Sequence, residues 1–359
     1  MYEDLIFVSQ EEKAKSTIGK IWGRAPLFVC VIANTEVGKI EGISAAGATP
    51  VLVDFTPPAD VEFVEWGRCE CINGVPVTPE GIPTPAIITR ASLTLAGIPF
   101  IAVNAGLNIL PHIPFVDVGG KAGGDIRSAR GVEEPQKVFE KAKILGNNLG
   151  KLCDYIVIGE SIAGGTTTAL ATLTGLGYDA FGKVSSSMPC NPHAEKEAIA
   201  KQALRHLEDG NVFSVVSYMG DPMMPVHAGL CTGAGRHIPV FMAGGTQMAA
   251  LLAIIKRTKE DILDNLFIVT TRWIIKDKTS DLPGLIEEIH PVPIIATRLS
   301  FSSSPYSGLQ AYEKGFVKEG VGAGGSVIAA YIKSKGTIHS EIIRGEIEKI
   351  YEGLLLSKI

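Results

Sequence analysis

Short apolar runs recur along the chain, at 27–33, 51–55, 86–89, 100–103, 155–158, 213–217, 240–243, 266–270 and 294–297, and many are separated by segments of helix length. The runs are continuous rather than alternating and rich in Val and Ile, which is the pattern of strands buried on both faces. Together they predict an α/β fold: an open, mostly parallel, doubly wound (Rossmann-like) sheet with helices on both faces. The ends read differently. Residues 11–20 and 338–356 carry charge on one face and apolar residues near helical spacing on the other, including Ile342, Ile343, Ile347, Ile350, Leu354 and Leu355. The expected division is a large α/β domain over 21–335 and a small helical domain from 1–20 and 336–359. The stretch 71–85, with Pro76, Pro79, Pro83 and Pro85, reads as an irregular excursion or a short hairpin.

In open parallel sheets ligands collect at the carboxyl ends of the strands. Several turns that follow predicted strands are built of small residues: Asn34-Thr35, Asn104-Ala105-Gly106, Gly159-Glu160-Ser161 and Gly244-Gly245-Thr246. They are expected to converge on one rim. The turn after 155–158 continues as Gly164-Gly165-Thr166-Thr167 into a helical segment. Its glycines let backbone N–H groups approach an oxyanion, and its hydroxyls sit at a helix N-terminus. The alternative is a tight turn with Thr as a cap. Arg127 and Arg130, in a glycine-rich loop, are able to brace a phosphate or to pair with Glu133 and Glu134 at the surface. Ser302 and Ser303 offer hydroxyls to phosphate or ribose. Near the end, Glu319 opens the run Gly320-Val321-Gly322-Ala323-Gly324-Gly325. A carboxylate among residues too small to cover it either caps the next helix or, with its pKa raised by partial desolvation, serves as a general base.

Composition narrows these readings. The chain has 359 residues, 46% of them hydrophobic, and a mean hydropathy of +0.23. Its most apolar segment, 238–255, is broken by Gly244-Gly245-Thr246-Gln247 and ends in Lys256-Arg257, so it reads as a buried strand and helix rather than a membrane span. Glu3 and Asp4 near the start do not suit a secretory leader, and a cytoplasmic location is expected. A net charge of -5 without a basic, aromatic-interleaved cluster gives no reason to expect nucleic acid. The six cysteines are expected to be reduced thiols. Cys69-Glu70-Cys71 lacks companion ligands at metal spacing, so no metal site is expected. The turn after 155–158 has neither G-x-x-x-x-G-K-[ST] nor G-x-G-x-x-G spacing, which argues against ATP hydrolysis and conventional nicotinamide dinucleotide binding there, and no G-x-S-x-G occurs in the chain, which argues against a serine nucleophile elbow.

Four stations occur in order: Asp117-Val118-Gly119 with Ile126-Arg127-Ser128-Ala129-Arg130-Gly131; Gly159-Glu160 with Thr166-Thr167; Gly244-Gly245 with Met248-Ala249-Ala250; and Glu319-Gly320-Val321-Gly322-Ala323. Over roughly 100–335 the chain thus resembles the nicotinate-nucleotide:dimethylbenzimidazole phosphoribosyltransferase family of cobamide assembly. The resemblance implies a transferase that moves the phosphoribosyl group of nicotinate mononucleotide to an aromatic base, with no cofactor, no metal and a homodimeric state. It implies Glu319 as general base, with Gly320 and Gly322 in its loop. It puts Gly164, Gly165, Thr166 and Thr167 near the phosphate with Ser302, Ser303 and Lys196 as neighbours, Glu160 near the nucleotide, and Asn104 near the base pocket. The family turn usually reads G-E-M-G-I-G-N-T-T, whereas this chain has Gly159-Glu160-Ser161-Ile162-Ala163-Gly164-Gly165-Thr166-Thr167, and the ground near Asn104 is shortened. These departures point to a different acceptor base, or to a nucleotide-binding protein that performs no transfer.

Overall fold

Successive residues of the strand Pro26–Ala33 feed two different cores. Val29, Val31 and Ala33 join one apolar cluster, while Phe28, Cys30 and Ile32 join another. A strand that is buried on both sides has no polar face to show, and its sequence reads as an unbroken apolar run. A computed structural model, which describes residues 2–44, 49–74, 77–78 and 81–356, shows how both faces are covered. Its strands are β1 (Leu5–Ser9), β2 (Pro26–Ala33), β3 (Phe100–Gly106), β4 (Phe115–Asp117), β5 (Tyr155–Ser161), β6 (Val240–Ala243), β7 (Leu266–Thr271) and β8 (Ile294–Thr297). They form one sheet in the order β1-β8-β7-β6-β5-β2-β3-β4. Every pairing is parallel except that of β1 with β8.

The chain therefore winds outward twice, from β2 to β4 in one direction and from β5 to β8 in the other. Its switch point lies between β2 and β5, where Val31 pairs with Glu160 and Ile32 with Ser161. At such a point the loops diverge and leave a crevice at the carboxyl ends. One face is covered by helices that include Pro135–Leu149, Gly165–Gly175 and Met223–Ala234. The other is covered by Thr56–Trp66, Ala86–Ala96, Ala323–Lys333 and Ser340–Leu356, among others. Among the described residues no helix is long and apolar enough to cross a membrane.

Three expected strands are helical. Residues 51–55 lead through a 3-10 turn, Leu52–Phe55, into the helix Thr56–Trp66, whose first turn holds Pro57 and Pro58. The run 86–89 is the first turn of Ala86–Ala96, entered from Pro85. The run 213–217 lies in Val212–Met219, where Asn211 caps the helix by accepting from Phe213 N at 2.9 Å. A buried helix face and a buried strand present the same short apolar run, and periodicity cannot separate them. Conversely, β1 and the three-residue β4 were not anticipated; both are edge strands, too short or too mixed to stand out. Residues of the two termini meet: Asp4 accepts from Ser340 N at 2.9 Å and from its hydroxyl at 2.7 Å. In the 71–85 stretch, Pro76 and Pro79 lie outside the described residues, and Val77 and Pro83 form an isolated antiparallel bridge.

The helices Pro135–Leu149 and Met223–Ala234 approach until backbone meets backbone. A Cβ on Gly146 would lie 2.3 Å from Leu230 O, one on Gly229 2.4 Å from Phe139 O, and one on Gly233 2.1 Å from Lys143 O. By contrast, a Cβ on Gly345 of Ser340–Leu356 meets nothing within 4 Å. The two sites should respond with opposite sign in urea unfolding. Gly233→Ala is expected to lower stability by about 2 kcal/mol through overpacking, and Gly345→Ala to raise it by up to about 1 kcal/mol through helix propensity.

Candidate active site

A cavity of about 650 Å³ opens at the switch point. Its floor is the end of β5, where Glu160 and Ser161 are both 4% exposed. The chain then turns through Gly164, which has a φ of 84° in the left-handed region and whose Cβ would lie 2.6 Å from Gly38 N. At Gly165 a Cβ would strike the Gln247 side-chain amide at 2.1 Å. Bare backbone at both positions brings the N-terminus of Gly165–Gly175 to the cavity wall, and Gly164, Gly165 and Thr166 line it. A helix begins with N–H groups that have no partner in the helix and with the positive end of its dipole. Lys196 stands behind this wall. It is fully buried, and its Nζ donates to Thr166 Oγ1 at 2.7 Å and to Ser185 O at 2.6 Å. Burial, assisted by the charge of Lys318, brings Lys196 down to about 7.

The other functional wall is the loop before the helix Ala323–Lys333. Val317, Lys318 and Val321 all have positive φ, at 62°, 57° and 53°. That is costly for β-branched side chains and persists only where surroundings impose it. Lys318, 1% exposed, anchors the loop by donating to Asp277 Oδ2 at 2.7 Å, Met188 O at 3.0 Å and Asn191 Oδ1 at 3.2 Å. Glu319 is thereby turned toward both the cavity and the helix. Its Oε2 accepts from Thr271 N at 2.8 Å and Gly324 N at 3.3 Å, and its Oε1 from Gly320 N and Gly324 N at 3.2 Å. One geometry thus makes Glu319 a cap on the following helix and a carboxyl at the cavity wall.

Four carboxyl groups crowd this end of the sheet. Burial lifts Glu160 to about 8, reinforced by the charges of Asp221, Glu319 and Asp60. Burial also lifts Glu319 to about 7, against the backbone hydrogen bonds it accepts. Asp60 and Asp221 each rise to about 6 for the same reason, opposed by hydroxyl donors. Glu160 is therefore mostly protonated at neutral pH, and Glu319 is poised to gain or lose a proton there.

Of the residues singled out in the sequence, Glu160, Gly164, Gly165, Thr166, Glu319 and Gly320 line the cavity together. Lys196 reaches it through Thr166. Thr167 is fully buried, with an unpartnered hydroxyl. Gly322 packs behind the wall, where a Cβ would lie 2.8 Å from the Phe28 ring. Asn104 closes its own turn by accepting from Gly106 N at 2.9 Å. Arg127 pairs with Asp125 at 2.7 Å beside a separate surface groove. Arg130, Ser302 and Ser303 are outside the cavity lining. Sequence reasoning passed over Asp60, Thr84, Lys318 and Asp277. A run such as Pro57-Pro58-Ala59-Asp60 offers no signal until its helix is known to face the sheet. Among the described residues no group of three or more His, Cys, Asp or Glu is placed to hold a metal.

No protein-family model matches the chain. Similar curated proteins include the UPF0284 proteins of Sulfolobus acidocaldarius, 50% identical over 91% of this chain and 95% of that one, Archaeoglobus fulgidus, 45% identical over 93% and 95%, and Methanothermobacter thermautotrophicus, 40% identical over 92% and 94%. Among solved structures, nicotinate-nucleotide-dimethylbenzimidazole phosphoribosyltransferase from Thermus thermophilus matches with a TM-score of 0.57 and 16% identity, over 91% of this chain and 92% of that one. A structure of CobT from the same organism matches with a TM-score of 0.56 and 16% identity, over 91% and 90%. At that identity the likeness is one of fold.

The carboxyl cluster carries a cost that depends on pH. Because the folded pKa of Glu160 lies near 8 and its ordinary value is 4.5, the folded state binds more protons between them, and stability falls as pH rises through that window. Glu160→Gln removes this contribution. Guanidinium unfolding should show the variant gaining on the wild type between pH 5 and pH 8 by on the order of 2 kcal/mol.

Proposed function

This chain belongs to the UPF0284 family, and we propose that it is a phosphoribosyltransferase that moves the phosphoribosyl group of nicotinate mononucleotide to an aromatic base. The observation that carries the reading is that one cavity, at the sheet's switch point, is lined both by the bare helix N-terminus Gly164-Gly165-Thr166 and by the Glu319 carboxyl. The first suits a phosphate, and the second suits an acidic N–H. The fold shared with the Thermus thermophilus transferases is consistent with it.

In the proposed reaction a ring nitrogen of the base attacks the anomeric carbon, and the bond from that carbon to the pyridinium nitrogen breaks. The bonding pair stays with nicotinate, whose ring becomes neutral. The ring N–H of the base passes its proton to Glu319. Charge moves between two rings without accumulating, so the work of the protein is to hold two planar reactants and one phosphate in register. Glu160, protonated at neutral pH, adds no second negative charge next to the base.

The test is nicotinate release from nicotinate mononucleotide in the presence of aromatic bases. Glu319→Gln is expected to lower the base-dependent rate by roughly 10²- to 10⁴-fold. Because Glu319 acts as the ionised form, kcat/KM should rise with pH through about 7 and then level. A second reading, nucleotide binding without transfer, is favoured by the capping bonds that Gly324 N donates to Glu319. On that reading the variant loses stability, and the wild type releases no nicotinate with any base.

Lys196 supplies an independent check of the phosphate end. With a value near 7 it is mostly neutral at pH 8, and a bound phosphate would draw a proton onto it. Calorimetric titration of nicotinate mononucleotide at pH 8, in buffers of different ionisation enthalpy, should show uptake of a sizeable fraction of one proton. Lys196→Met should lower it, leaving the share taken up by Glu160.

A further inference from the structure

One part of the cavity wall has no role in the chemistry above. Asp60, on the helix Thr56–Trp66, is 3% exposed and lines the cavity beside Ala59. Both of its oxygens are engaged: Thr84 Oγ1 donates to Oδ1 at 2.6 Å and Ser161 Oγ donates to Oδ2 at 2.7 Å. Thr84 sits between Pro83 and Pro85, which also face the cavity. The fully buried Tyr312 fixes this segment by donating to Pro83 O at 2.8 Å.

Counting protons decides what this patch can recognise. An ionised carboxylate only accepts hydrogen bonds, and each hydroxyl has one proton to give. Thr84 and Ser161 both spend theirs on Asp60, and Thr84 Oγ1 also accepts from Ala86 N at 3.3 Å, so toward the cavity the three side chains offer only their remaining lone pairs and no donor. Around them stand Ala59, Pro83 and Pro85, which suit the flat face of a ring. A ring edge bearing N–H groups satisfies such a patch. An edge of methyl groups strips water from a carboxylate and returns nothing, which a site built of buried acceptors penalises heavily. Asp60 has a value near 6, so it is ionised at neutral pH.

Building on the transferase reading, we infer that the acceptor is an amine-bearing aromatic heterocycle of the aminopurine class, selected through its exocyclic N–H by Asp60 with Thr84 and Ser161. Asp60 is a specificity residue in this scheme and takes no part in bond making.

Adenine and purine differ by the exocyclic amine alone and make a matched pair of probes, with 5,6-dimethylbenzimidazole as a third. With the full-length protein and nicotinate mononucleotide, kcat/KM for adenine should exceed that for each of the other two by at least about tenfold. In Asp60→Asn and in Ser161→Ala the adenine-to-purine ratio should fall toward one. Ser161→Ala keeps the test alive if the Asp60 variant does not fold. Purine or dimethylbenzimidazole used as well as adenine, or a ratio unchanged in both variants, overturns the inference. Calorimetric titration of adenine and purine into the protein separates this inference from the reading it builds on. If no base releases nicotinate, the transferase reading fails; tighter binding of adenine than purine, lost in the variants, still supports selection by Asp60. Equal binding, or none, overturns it.

Discussion

The backbone hydrogen bond from Val321 N to Glu160 O, 2.8 Å long, is the contact on which the rest of the site depends. It clamps the loop before Ala323–Lys333 against the end of β5, and two glycines make the approach possible. A Cβ on Gly159 would lie 2.8 Å from Gly322 Cα. Thr89 Oγ1 adds a second tie by donating to Val321 O at 2.9 Å. With the loop seated there, Glu319 and Glu160 share one cavity, and the charge of Glu319 adds to the burial that disfavours ionising Glu160.

Holding the loop in that position requires strained backbone, and the buried Lys318 offsets the strain. Its ammonium donates to Asp277, Met188 and Asn191 in a site nearly closed to water, so the loop cannot shift without leaving a bare charge behind. Asp277, the anionic partner, would be raised by burial, but the bonds from Lys318, Thr279 and Asn191 outweigh that and hold it well below the usual carboxylate range. The Lys318–Asp277 ion pair thus positions, at the next residue, a carboxyl whose own charge is in balance near neutrality.

Much of this was legible in the sequence because runs of glycine mark places where backbone comes close to something else. Gly164, Gly165 and the run from Gly320 to Gly325 marked the two turns that line the cavity, and the apolar runs at 27–33, 155–158, 240–243, 266–270 and 294–297 marked the central strands. What was not legible depends on long-range placement. Asn104 looked like a ligand and instead satisfies its own turn at Gly106. Arg127 looked like a phosphate clamp and is held by Asp125 two residues away. Asp60 lies on a helix hidden behind an apolar run read as a strand, Thr84 lies in a stretch read as irregular that gave no sign of its partner, and the meeting of Asp60 with Ser161 spans 101 residues of chain in one hydrogen bond.

Ser161 joins these observations. In the family turn that this segment resembles, the position after Gly-Glu is Met, an apolar side chain; here it is a hydroxyl committed to a buried carboxylate. Such an exchange does not alter the bare backbone at Gly164 and Gly165, where Gly165 itself stands in place of the Asn of the family turn. It changes only what the wall beside Asp60 accepts. On the proposed reading phosphate is held by main-chain amides and the base by side chains, so the second can change without disturbing the first, and Ser161 falls on the side-chain half of that division.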